Sequence, residues 1–158
     1  MAIYQLGAGT VTVHTIRTSK RHGSDSDRLT RIACKLEGLV GPRDPDADIR
    51  EVVAIEVQHA RSGRCGRAQA ASTMRGPAAV RGAVTHWARL RGAEVVEVQP
   101  GAVNRALTGN TKASAAQMKA MALHRFRLKC TEHSADALGF ALAGVTRVAM
   151  ADRVEAAK

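Results

Sequence analysis

The chain has 158 residues, 45% of them apolar and 24% charged, with 24 Lys and Arg against 14 Asp and Glu for a net charge of +10. That length suits one domain with a buried core, and the apolar share excludes a disordered chain. No apolar run approaches the roughly 18 residues of a membrane span, and four aromatics (Tyr4, Trp87, Phe126, Phe140) are too few for a surface that stacks on bases.

In chain order, residues 2–6 (AIYQL) and 10–17 (TVTVHTIR) read as two strands joined by Gly7-Ala8-Gly9, a hairpin signal. A polar loop follows from Ser19. Asp27 is expected to cap a helix whose apolar positions Leu29, Ile32, Ala33, Leu36, Leu39 and Val40 keep the 3.6-residue period, and Gly41-Pro42 stops it. Residues 51–57 (EVVAIEV) are nearly all apolar, as in a strand covered on both faces. Residues 66–92 read as helix in two parts, with Gly76-Pro77 as the break. Residues 94–99 (EVVEVQ) form another strand, and Pro100 opens a short helix to Leu107. Thr108-Gly109-Asn110 is a turn, Ser114 caps a helix to about Phe126, and a last helix runs from about Ser134 to Met150. Strands first, then strands alternating with helices, imply an α/β fold with a mixed sheet. The domain is expected over 1–150, with a polar tail at 151–158.

The charge is concentrated. Residues 57–131 hold thirteen basic residues and two acids (Glu94, Glu97), a balance of +11, which leaves −1 for the remainder. Solvated helix faces would explain the arginines but not the missing acids, so a phosphate backbone is the partner this stretch fits. Three widely spaced cysteines (Cys34, Cys65, Cys130) include no CxxC pair, and the first residues carry no apolar secretory segment. Both point to a reduced, cytoplasmic protein.

Two features could carry chemistry. Glu56 closes the apolar run VVAIEV, where a carboxylate costs several kcal/mol, of order, unless a cation or an Arg compensates it. The C-terminal end of a strand is also where α/β sheets bind ligands. His133 and Asp136, three apart at the start of the last helix, fall on one face of its first turn. An imidazole and a carboxylate aimed the same way suit a divalent cation. The remaining histidines have no zinc-ligand spacing, TGNTKAS lacks the first Gly of a P-loop, and no GxSxG segment occurs.

Taken in order, HTIRT at 14–18, VVAIE at 52–56, QAASTMRG at 69–76, VVEVQPGAVNRALTGNTKASAAQM at 95–118 and HSADALGFALA at 133–143 resemble the RuvC family of Holliday junction resolvases, within the RNase H-like superfamily. The resemblance implies an RNase H-like α/β fold and a homodimeric, Mg²⁺-dependent endonuclease (Mn²⁺ being the other candidate) that nicks branched DNA. Glu56 and Asp136 match two members of the family's acidic set, and His133 stands where many members have Asp and some have His. These three are expected to hold the metal, with Arg61, Arg64, Arg67, Arg105, Lys112 and Lys119 on phosphates.

Three departures stand beside this. No D-P-G segment with the family's first Asp precedes the hairpin, so residues 2–6 correspond to the family's second strand, and a start upstream of Met1 is expected. His59 stands nearest the position of the family's junction-probing aromatic, and Asn104 and Ala115 replace expected lysines. The alternative is a relative that binds branched or duplex DNA without cutting it.

Overall fold

The computed structural model describes residues 2–4, 11–13, 24–41, 51–56 and 71–158. Two strands, β1 (Ala2–Tyr4) and β2 (Val11–Val13), pair antiparallel with Ile3 opposite Thr12. The expected hairpin is therefore present, and its Gly7-Ala8-Gly9 turn lies outside the described residues. Then follow α1 (Asp25–Val40), β3 (Val52–Glu56), α2 (Ala71–Leu90), β4 (Glu94–Val98), α3 (Pro100–Thr108), α4 (Ala115–Phe126) and α5 (Glu132–Ala156). Strands β3 and β4 form a second sheet, and the Glu94 N–H donates to the Glu51 carbonyl at 2.9 Å. Both residues stand at the start of their strands, so the pair is parallel, joined through the helical crossover that parallel strands require.

The chain divides into two compact units. One comprises residues 1–15, 52–57 and 95–158, and the other residues 16–51 and 58–94. In the first, Leu107, Met118 and Leu138 are fully buried, with Val96, Val98, Val103, Ala135 and Val148 around them. Helix α5 is the central element of this unit, packing on α3, α4, β1 and β3. Its 3.6-residue period presents two glycines to two neighbours. A Cβ on Gly139 would stand 2.7 Å from Val103 Cγ1 and 3.0 Å from the Val103 carbonyl oxygen; one on Gly144 would stand 2.9 Å from the Ala54 Cβ. Only the missing side chain lets α5 lie that close to α3 and to β3.

In the second unit α1 packs against α2, with Ile32, Leu36 and Ala88 buried. Helix α1 starts earlier than the sequence suggests. Ser24 is the cap, and Asp27 is the third helical residue of a capping box, its carboxylate accepting from the Ser24 N–H at 2.8 Å and the Ser24 hydroxyl at 2.6 Å. Those hydrogen bonds hold the Asp27 carboxyl below the usual aspartate value, the hydroxyl contributing most.

Three other expectations are corrected. Helix α2 runs unbroken through Gly76-Pro77, because Pro77 removes one backbone hydrogen bond from a 20-residue helix and the remaining turns carry it. Strand β3 is half-buried along Val52–Ile55, with Val52 and Ala54 packed on the core under α5. Helix α5 starts at Glu132, capped by Thr131, whose Oγ1 accepts from the Ser134 N–H at 3.3 Å. It continues to Ala156, so residues 151–156 of the polar tail are helical and exposed.

Candidate functional site

Both members of the helical pair lie near the start of α5, solvent-exposed, three residues apart and therefore on one side of the helix. Neither His133 nor Asp136 makes an ion pair with a described residue. Glu56 is the last residue of β3; its side chain lies outside the described residues. Gly144 rests on β3, while Gly139, nearer the helix start, rests on Val103 of α3, a helix that follows the C-terminal end of β4. Among the described residues no three His, Cys, Asp or Glu side chains cluster as a metal site.

Of the six expected phosphate contacts, Arg61, Arg64 and Arg67 lie outside the described residues. Arg105 on α3 and Lys112 in the α3–α4 turn are exposed, and Lys119 on α4 is half-buried. None of the three pairs with a described acid. The turn bearing Lys112 is held from both sides. Asn104 Nδ2 donates to the carbonyls of Thr111 at 3.2 Å and Ala113 at 3.4 Å, and the Lys112 N–H donates to Asn110 Oδ1 at 3.0 Å. Asn104, at a position where a lysine was expected, braces that turn with its side-chain donors.

Not every residue of the basic stretch faces solvent. The Arg91 side chain is 7% exposed, with Nε and Nη2 donating to Glu51 at 3.1 and 2.8 Å, and Nη1 to Glu37 at 2.8 Å and to the Gly41 carbonyl at 2.8 Å. Its guanidinium also lies 5.4 Å from the Trp87 ring centroid, and Trp87 Nε1 donates to Glu37 at 2.7 Å. The Glu51 hydrogen bond, outweighing burial, raises the Arg91 pKa further. Arg125, though exposed, also bonds within the fold, its Nη1 donating to the carbonyls of Ala106 and Leu107 at 3.0 and 2.8 Å. It thereby satisfies the C-terminal carbonyls of α3 and its dipole. Composition counted both arginines as surface charge; spacing carried no signal of these long-range partners.

The arrangement of helices around this small parallel sheet is that of the RNase H-like fold. The structure is similar to that of Thermus thermophilus RuvC, with a TM-score of 0.62 and 24% identity over 90% of this chain and 77% of the other. It is also similar to T. thermophilus RuvC in complex with a Holliday junction substrate, with a TM-score of 0.67 and 21% identity over 92% of this chain and 84% of the other. No curated protein matches the chain. The family model described as crossover junction endodeoxyribonuclease RuvC matches residues 6–144, so the chain belongs to the RuvC family.

Proposed function

We propose that this protein is an endonuclease for four-way or other branched DNA, with Glu56, His133 and Asp136 as the ligands of Mg²⁺ or Mn²⁺. The observation that carries the reading is that His133 and Asp136 are exposed, unpaired among the described residues and on one side of the start of α5. The carboxylates suit a hard divalent cation, and the imidazole favours Mn²⁺, the softer of the two, over Mg²⁺. When bound, that cation supplies activation of the attacking water and stabilisation of the leaving oxygen in phosphodiester hydrolysis.

The chain's own residues do the rest. His133 and Asp136 fix the cutting site to a helix that is immobilised by the buried core under it. Arg105, Lys112 and Lys119, in the same compact unit, bind backbone phosphates, and Asn104 holds Lys112 in place. In this reading Arg61, Arg64 and Arg67 also bind phosphates. Two symmetric nicks require two sites, which a homodimer with an isologous interface provides. The protein works in the cytoplasm, where its cysteines stay reduced.

The test uses a synthetic four-way junction with the wild-type chain, His133→Ala and Asp136→Asn, in Mg²⁺. Symmetric nicking by the wild type, lost in both variants while junction binding in EDTA persists, is the expected result. Binding without nicking by the wild type would refute the enzyme and leave a junction-binding protein.

A further inference from the structure

Arg127 is the one non-glycine residue with positive φ among the described residues, at φ 55° and ψ 28°. It closes α4, its N–H donating to the Leu123 carbonyl at 2.9 Å. The left-handed region at a helix end is the ordinary place of glycine or asparagine, because a Cβ crowds the backbone there. Strain of this kind persists only where the surrounding structure holds it, and it clusters at ligand-binding sites.

The side chain offers no structural reason. Arg127 is exposed and makes no hydrogen bond or ion pair with a described residue. Arg125, two residues earlier, is the one that anchors the junction, through the α3 carbonyls and over the Phe126 ring at 5.3 Å. Beyond it, Leu128 is half-buried and Lys129 is exposed again, also without a described partner. Lys119 lies close enough for its charge to act on the Cys130 thiol, whose pKa burial pushes up. From residue 98 to 131 the sequence contains no acid, and Lys129 stands four residues before His133. A segment of cations therefore leads into the first turn of α5.

We propose that Arg127 and Lys129 form a phosphate-gripping surface on the α4–α5 junction, and that the left-handed backbone at Arg127 is kept because it directs the guanidinium onto the DNA backbone beside the cutting site. A planar guanidinium matches phosphate with two parallel hydrogen bonds, which makes its direction matter. The inference rests on the DNA reading above but needs only a phosphate backbone, branched or not.

The test is Arg127→Gly, with Arg127→Asn and Lys129→Gln beside it. Binding to a four-way junction and to a linear duplex is measured in EDTA between 50 and 200 mM salt, together with Tm. Glycine relieves the backbone, so Tm is expected to rise by about 2–4 °C while DNA binding weakens. Each lost phosphate contact removes about 0.9 from the salt slope, so the affinity lost across that salt range shrinks by about 3.5-fold. Arg127→Asn, which also tolerates the left-handed region, is expected to lose the same slope, and so is Lys129→Gln. Unchanged slopes on both DNAs would overturn the surface, and a lower Tm for Arg127→Gly would overturn the reason given for the strain. A wild type that binds duplex as well as junction would sink the branched-DNA reading and leave this inference tested on duplex; a wild type that binds neither would sink both.

Discussion

Four glycines inside helices make one substitution, Gly→Ala, a test of how α5 is seated. Gly38 on α1 and Gly82 on α2 are exposed, and a Cβ on either would meet nothing within 4 Å. Alanine there gains the difference in helix propensity, about 1 kcal/mol, with no offsetting clash. At Gly139 the added carbon would stand 2.7 Å from Val103 Cγ1, 3.0 Å from the Val103 carbonyl oxygen and 3.1 Å from Met118 Cε. Carbon atoms rest at about 3.5–4.0 Å, so Val103 Cγ1 must give way by at least about 0.8 Å. The carbonyl is backbone and cannot rotate away. Overpacking of this sort costs about 1–3 kcal/mol, which outweighs the propensity gain and leaves a net loss of roughly 0–2 kcal/mol. Gly144, 2.9 Å from the Ala54 Cβ and 3.6 Å from Val52 Cγ1, faces a strand that must shift as a unit, for a similar net loss. Thermal unfolding followed by far-UV circular dichroism should show Gly38→Ala and Gly82→Ala raising Tm by about 2–4 °C each. Gly139→Ala and Gly144→Ala should lower it. Emission of Trp87, the single tryptophan, reports the α1–α2 unit and separates its transition from that of the other unit. Four shifts of the same sign would refute the close seating of α5 on α3 and β3.

The Arg91 network gives a second outcome. Arg91→Ala leaves Glu51, 22% exposed, beside Glu37 without their shared cation, and should cost about 2–4 kcal/mol in urea unfolding, somewhat below a fully buried pair. Arg91→Lys keeps the charge but not the fork and should cost less; a loss under about 0.5 kcal/mol for alanine would mark the network as surface decoration. For pH, the Asp27 carboxyl is lower in the folded chain than in the unfolded one, so its contribution is present above the ordinary aspartate value. It is lost as pH falls through the folded value. Proton titration of Asp27 by NMR should therefore show a lowered midpoint that rises only partway toward normal in Ser24→Ala, where the backbone N–H bond remains; an unchanged midpoint would refute the hydroxyl as the main cause.

Much of the chain was legible in residue order because the signals were local. The hairpin, the 3.6-residue period of α1, Pro100 opening α3 and Ser114 capping α4 depend on neighbours within a few positions, and the structure has each of them. His133 and Asp136 were readable for the same reason, since a spacing of three on a helix fixes a shared side. Pro77 was misread because a single lost hydrogen bond is a local cost that the other turns of a 20-residue helix override.

What the sequence determined by itself was therefore the succession of elements, the concentration of positive charge between Glu56 and His133, and the types of ligand available. What only the tertiary structure decided was which charges belong to the fold. Arg91 meets Glu51 and Glu37 across 40 and 54 residues, and Arg125 meets the end of α3 across 18 and 19. Such partners are set by how helices pack, and no periodicity within either segment encodes them. The same packing decided that Gly139 and Gly144 are contact points and that Arg127 sits in a backbone region made for glycine, because a conformation at a helix end is chosen by the chain that must follow it.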